Sequence, residues 1–301
     1  MKLVSYFFLR CFLRFFAWLP LPVARRLSRA LGYLYYWLGP KRVDIARINI
    51  RLCFPHLSAA EQEGLVKQSI LQAAMWIGEA GMAWLWPMPK ILEHVTVRNP
   101  EVLINALRQD RGVILALPHM GNWEVVNAVI CSQYDFACLY KHDDEVPLLS
   151  QFIYRRRSAS GIVMAPADTG GIRKLVKQLK AGSIVGLLPD HKPTAEMGVF
   201  APFFGVPALT GTLISSLARK HQTTVLTMTV VRTVAGFEVV YDEVKDQQAD
   251  NALVAATALN AAIERCVALA PAQFQWVYTR FSKQPDGLPS PYKQRTVSGK
   301  N

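Results

Sequence analysis

The segment Gly112-Val113-Ile114-Leu115-Ala116-Leu117-Pro118-His119-Met120-Gly121-Asn122-Trp123-Glu124 contains both the strand that decides the fold and the residues able to do chemistry. Its first half is a short continuous apolar run, the pattern of a buried strand. Pro118 ends strand pairing, and Gly121-Asn122 has the composition of a turn. Asn122 is placed to cap a helix that begins near Trp123 and carries Val125, Val126, Ala128, Val129 and Ile130. His119 and Glu124 are five positions apart, about 500° of rotation on a single helix, so they would not share a helical face. A strand end, a turn and a helix start can bring them together. An imidazole held by a carboxylate is a general-base arrangement, the acid fixing the tautomer and stabilising the imidazolium. No Ser or Cys lies in residues 117–124 to act as an internal nucleophile, so the hydroxyl to be activated is expected on a substrate. The bland alternative is a surface His at a strand end and a Glu favoured by the helix dipole; the surrounding chain decides between the two.

Outward from this segment the pattern alternates. Strands are expected at 112–117, 136–140, 161–164, 183–188, 223–231 and 237–241, and helices at 101–109, 123–132, 145–158, 169–181, 209–220 and 250–269. Such alternation predicts an α/β domain with a largely parallel sheet flanked by helices. Sites in these folds gather at the carboxyl ends of strands. His119 and Asp190 each follow a predicted strand, which puts them on one rim. Upstream, residues 44–52 read as helix. Ser58-Ala59-Ala60-Glu61 has the form of a capping box opening a helix that runs to about Met82. That region is rich in Trp and Met (Met75, Trp76, Met82, Trp84, Trp86, Met88), read first as core and second as the wall of an apolar channel. Residues 200–212, with Pro202, Gly205 and Pro207, read as a loop or buried connection. The stretch from Lys283 to Asn301 is expected to be irregular at its end.

The chain has 301 residues and is 51% hydrophobic, enough to bury a large core as one domain. Its 34 Lys and Arg exceed 22 Asp and Glu, a net charge of +12. Ten of those basic residues fall within positions 1–51, against the single acid Asp44. Basic residues mixed with Phe, Trp and Leu suit an anionic membrane surface rather than nucleic acid, for which no motif is present. Residues 3–19 are dense in Phe and Leu, with Arg10 and Arg14 one turn apart. At ~1.5 Å per residue they span about 25 Å, less than a typical hydrocarbon core. No cleavage site follows, so a removed signal peptide is not expected. Pro20 and Pro22 break the helix, and residues 23–38 form a second apolar segment. Arg25, Arg26 and Arg29 are expected at phospholipid headgroups, and Tyr33, Tyr35, Tyr36 and Trp37 at an interface. Residues 1–40 are therefore read as membrane-associating helices and 41–301 as the α/β domain. The helices are expected to lie in the leaflet, with a single tilted span or a cytosolic hairpin as the alternatives. The five cysteines are odd in number and lack C-x-x-C, so neither a disulfide framework nor a zinc site is expected. Neither a paired-His metal motif nor a phosphate-cradling glycine loop is present.

Pro118-His119-Met120-Gly121-Asn122-Trp123-Glu124 resembles the H-x4-D/E block of glycerolipid-type acyltransferases. More narrowly, it is similar to that of the late acyltransferases of lipid A biosynthesis, which transfer lauroyl or myristoyl chains. Leu188-Pro189-Asp190-His191 and Gly198-Val199-Phe200-Ala201-Pro202-Phe203-Phe204-Gly205 resemble two further blocks of that family. So do residues 270–281, Pro285-Asp286-Gly287 with Pro289-Ser290-Pro291-Tyr292, and Asn49 to Ser58 with Leu52-Cys53-Phe54-Pro55. These collinear matches span most of the chain.

The resemblance implies an acyltransferase with His119 as base and Glu124 orienting it, and no cofactor. It implies acyl carrier protein, or secondarily coenzyme A, as acyl donor. The implied acceptor is the 3-hydroxyacyl group of an anionic lipid A precursor, reached from the cytoplasmic face of the inner membrane. It also implies a functional arginine near Arg157, with Arg156 the neighbouring candidate, to bind phosphate or stabilise an oxyanion. A basic helix end complementing the dipole accounts for at least one of Arg155, Arg156 and Arg157. Asp190 is read as the orienting partner of such an arginine. Asn122 is a candidate oxyanion donor, although capping alone would explain it. His191 is assigned no role. Tyr140-Lys141 stands where the family has Tyr-Arg, but the following His142-Asp143-Asp144-Glu145 weakens a phosphate-binding role for that loop. Two other functions fit the same residues: acylation of another lipid, such as a lysophospholipid, ornithine lipid or glycolipid, or non-catalytic lipid binding on the same scaffold.

Overall fold

In the computed structural model the described residues are 3–140, 143–285 and 287–293. The expectations for Lys141, His142 and the end of the carboxyl tail lie outside them. Helices α1 (Leu3–Trp18) and α2 (Leu21–Trp37) meet at Pro20, and α3 (Lys41–Cys53) leads into the long α4 (Ala59–Leu85). The predicted capping box is present. The Ser58 side chain accepts from the Glu61 N–H, and the Glu61 carboxylate accepts from the Ser58 N–H. Helices α1, α2 and α3 all pack on α4. The approach of α1 is close because α4 has no side chain at Gly81, where a Cβ would stand 2.3 Å from the Leu13 carbonyl oxygen.

After α5 (Met88–Leu92), the alternating part follows: β1 (Val95–Arg98), α6 (Pro100–Leu107), β2 (Val113–Ala116), α7 (Val125–Cys131), β3 (Phe136–Tyr140), α8 (Pro147–Ala159), β4 (Val163–Pro166), α9 (Thr169–Lys180) and β5 (Ile184–Leu187). Then come the hairpin β6 (Gly198–Phe203) and β7 (Val206–Gly211), α10 (Leu213–His221), β8 (Thr224–Arg232), β9 (Phe237–Glu243) and α11 (Ala252–Leu269). The seven-stranded sheet has the order β1-β9-β8-β2-β5-β3-β4. Strands β8, β2, β5, β3 and β4 run parallel, and β9 pairs antiparallel to β8. This is the expected α/β class with a largely parallel sheet flanked by helices. Each residue of β2 and β5 is buried, as a strand covered by helices on both faces requires. Burial of each such Val, Ile or Leu contributes about 1.5–3 kcal/mol.

Two sequence expectations are corrected here. Residues 200–212 are not a loop but an antiparallel hairpin, and the helix expected from 209 begins at Leu213. Pro202 and Pro207 face each other across that hairpin, a two-stranded ribbon whose outer edges need no proline N–H. Its turn, Phe204-Gly205, has positive φ at both positions, the geometry of a tight hairpin turn. Secondly, Arg25 does not face headgroups. It is buried and paired with Glu79, whereas Arg26 and Arg29 are exposed. Phe7, Phe8, Phe15, Trp18, Leu34 and Trp37 remain exposed on α1 and α2. Among the described residues, one helix, α11, is long and apolar enough to cross a membrane. Its inner face, including Leu259, Ile263 and Val267, is packed into the protein core.

Candidate active site

Strands β2 and β5 are neighbours, in a register that sets Ala116 beside Leu187. His119 and Asp190 each lie three residues beyond that pair, so parallel pairing alone delivers them to the same height on one rim. Asp190 grips His119 twice. Its Oδ2 accepts the His119 backbone N–H at 2.7 Å, and its Oδ1 lies 2.7 Å from Nδ1. With Nδ1–H donated to the carboxylate, Nε2 carries the lone pair. The Asp190 side chain is 2% exposed and that of His119 13%, which leaves the ring accessible at one edge. Burial pushes the Asp190 carboxyl up, but the adjacent His119 outweighs burial and holds its pKa below the ordinary carboxylate value.

The expected direct contact between Glu124 and the imidazole is therefore corrected: Asp190 takes Nδ1. The Glu124 carboxylate instead accepts from Arg157 at both oxygens, with Arg157 Nε at 3.1 Å, from Trp84 Nε1 at 3.0 Å and from Asn127 Nδ2 at 3.3 Å. Burial raises its pKa, and the Arg157 guanidinium, the Trp84 N–H and the charge of nearby His119 together lower it further, leaving it below its usual value. The hydrogen-bond partners of Glu124 among the described residues are Arg157, Trp84 and Asn127, not the imidazole. Arg157 is a partner of Glu124 and not of Asp190, contrary to the orienting role expected for Asp190. Arg156 donates through Nε to the Trp84 carbonyl. Arg156 therefore ties the end of α8 directly to the end of α4, and Arg157 does so through Glu124, which also accepts from Trp84.

Asn122 does not cap α7, whose N-cap is Glu124 without a side-chain bond. It is fully buried, and its Nδ2 donates to Glu79 Oε2 at 3.3 Å. The turn itself depends on Gly121. Its φ is +56°, and a Cβ there would lie 1.8 Å from the Val230 carbonyl oxygen. The Gly121 N–H donates to the Gln273 carbonyl at 3.1 Å, and the His119 carbonyl accepts the Gln275 N–H at 3.0 Å.

Sequence reasoning assigned nothing to His191, Gln275 or Tyr278. The His191 ring stacks on His119 at 3.9 Å with planes 4° apart, and Tyr278 stacks on its other face at 3.9 Å. Gln275 Oε1 lies 2.9 Å from His191 Nε2. Burial and the His119 charge hold the His191 pKa below the ordinary histidine value. Trp123 meets His119 edge to face at 5.0 Å, and Trp76 stacks on Trp123 at 4.7 Å. The position of His191 directly after Asp190 was the available clue; the stack itself depends on the 274–281 segment returning to the rim. Met75, Met82 and Trp84 are buried, as core packing predicts. An apolar groove of about 280 Å³ lies among α1, α2 and α4. It is lined by Phe12, Phe16, Leu31, Ile70 and Ile77, and by Val277, the neighbour of Tyr278.

Removing the carboxylate from the Glu124–Arg157 pair leaves a guanidinium without its counter-charge. A fully buried pair costs about 3–5 kcal/mol to break. Arg157 keeps 23% of its side chain exposed, so Glu124→Gln is expected to destabilise by about 2–3 kcal/mol. Denaturant midpoints of the two purified proteins check this. An unchanged midpoint would mean that the pair contributes nothing to folding.

Sequence comparison gives a consistent picture. The family described as bacterial lipid A biosynthesis acyltransferase matches residues 2–283. The lipid A biosynthesis lauroyltransferase of Escherichia coli K12 is 30% identical over 280 residues, covering 91% of this chain and 90% of that protein. The palmitoleoyltransferase of the same organism is 29% identical with the same coverage. Its myristoyltransferase is 24% identical over 92% of this chain and 85% of its own length.

Proposed function

Because the chain belongs to the bacterial lipid A biosynthesis acyltransferase family, we propose that it moves a fatty acyl chain from acyl carrier protein to a hydroxyl of a lipid A precursor, with His119 as general base. The grip of Asp190 on Nδ1 is the observation that carries this reading, because it leaves Nε2 as a proton acceptor at the exposed edge of the ring. Nε2 takes the proton of the acceptor hydroxyl, and the oxygen attacks the thioester carbonyl. The tetrahedral intermediate collapses to an ester, and the imidazolium returns its proton to the departing thiolate. Asp190 stabilises the imidazolium in between. Glu124 adds negative potential, and Arg157, which it anchors, is the candidate to meet the developing oxyanion or an acceptor phosphate.

The apolar groove lined by Phe12, Phe16, Ile77 and Val277 offers room for an alkyl chain. The exposed aromatic residues of α1 and α2, with Arg26 and Arg29, suit residues 1–40 to the cytoplasmic leaflet of the inner membrane. Residues 41–301 form the acyltransferase domain in this division. The test is incubation of the purified protein with labelled acyl-carrier protein and, in parallel, a lipid A precursor and a lysophospholipid, read by mass spectrometry. The expected product is an acyloxyacyl ester on the lipid A precursor. Label on the lysophospholipid alone would replace the acceptor, and retained lipid with no turnover on any acceptor would remove the enzymatic reading.

A further inference from the structure

We infer that Arg25 on α2 is a positioning residue for acyl transfer, acting through the buried carboxylate of Glu79 on the loop that carries His119; this presupposes His119 as the reacting base. The Glu79 side chain is fully buried on α4. Its Oε1 accepts from Arg25 Nε at 2.6 Å and Arg232 Nε at 2.8 Å, and its Oε2 from Arg232 Nη2 at 2.8 Å and Asn122 Nδ2 at 3.3 Å. Arg232 Nη2 also reaches the Gly121 carbonyl at 3.3 Å, and its Nη1 reaches Gln72 at 2.7 Å. Gly121 and Asn122 are the second and third residues after His119. The free arms of Arg25 close the far side, donating to the carbonyls of Thr233 at 2.6 Å and Gly236 at 2.8 Å in the β8–β9 turn. One carboxylate therefore joins α2, α4, β8 and the His119 loop.

Stability alone does not account for such a cluster. Two guanidiniums share one acid, and an apolar packing of similar volume is often as stable as a buried ion group. What a saturated buried network adds is directional constraint. Here that constraint falls on the backbone of Gly121 and the side chain of Asn122, and hence on the ring of His119. The same α2 exposes Val23, Leu27, Leu31 and Leu34 on its other side. The seating of this apolar helix is thereby linked to the geometry of the base. A misplacement of about 1 Å in a reacting group costs on the order of a hundredfold in rate.

The test compares the detergent-solubilised full chain with Arg25→Met and Arg25→Lys. Arg25→Met is expected to lower kcat by about tenfold to a hundredfold while KM for the acceptor stays within about twofold. Arg25→Lys, which keeps a cation against Glu79, is expected to recover most of that loss. Hydrogen exchange read by mass spectrometry is expected to quicken in residues 117–124 of Arg25→Met, with β2 and β8 still protected. Unchanged kcat in both variants overturns the inference, as does lowered kcat with normal exchange in residues 117–124. A variant that merely unfolds would lose protection throughout; Arg25→Lys then decides by the same two readouts. Full activity of His119→Gln would instead refute the base itself, and the exchange result would stand apart from it.

Discussion

Purified His119→Gln protein is expected to transfer acyl chains about 10²–10⁴-fold more slowly than the wild type, the usual contribution of a positioned general base. The change is chosen to preserve the surroundings. Gln approximates the size of the ring and can still hydrogen-bond Asp190, which otherwise sits 2% exposed without a partner for its Oδ1. It cannot accept a proton at the position of Nε2. The loss is expected in kcat, because the apolar groove and Arg157 are untouched and acceptor binding persists. Near-normal transfer by a correctly folded His119→Gln protein would end the mechanism, since no other histidine takes that edge: the His191 ring lies parallel to His119, with its Nε2 bound to Gln275.

Asp190→Asn is expected to reduce transfer by about 10³–10⁴-fold, comparable to loss of the base. Asp190 meets two donors, the backbone N–H and Nδ1–H of His119. An amide has only one oxygen. If that oxygen keeps the backbone N–H, the amide NH2 faces Nδ1 and makes it an acceptor, which moves the ring proton to Nε2. The base then carries a proton where it should carry a lone pair, a tautomer change that costs about 10⁴ in a serine-protease triad. Side-chain nitrogen NMR of the histidines checks the tautomer independently of rate. Glu124 supplies the contrast. It makes no hydrogen bond to the ring among the described residues, so its loss is expected to act on stability and on the placement of Arg157. If Asp190→Asn stayed within about tenfold of wild type while Glu124→Gln fell by orders of magnitude, Glu124 and not Asp190 would be the steering acid.

That exchange of acids marks where sequence reading runs out. The His119 rim was legible because the run 113–117 is short and continuously apolar, as a buried strand is, and because Asp190 follows a second such run. Which carboxylate reaches the imidazole depends on strand order. His119 and Glu124 are only five positions apart along the chain, but the turn at Gly121 and the short α7 direct Glu124 toward Trp84 and Arg157. Asp190 is 71 positions away and arrives because β5 pairs with β2. The β6–β7 hairpin was hidden for a local reason: Pro202, Gly205 and Pro207 are strand breakers in isolation and become acceptable only in a two-stranded ribbon. Arg25 was read as a headgroup ligand because it stands with Arg26 and Arg29 at the start of an apolar segment; its acid partner lies 54 positions on, beyond any periodicity argument.

The pairing of Ala116 with Leu187 has an implication for how the protein matures. A slip of one residue between those two strands would turn the side chains of β5 to the opposite face and move Asp190 along the strand axis by about 3.3 Å. Nδ1 would then be left without its acid. A chain that had collapsed with the wrong alignment would be inert rather than partly competent, so turnover itself certifies that the central strands have docked in their native alignment.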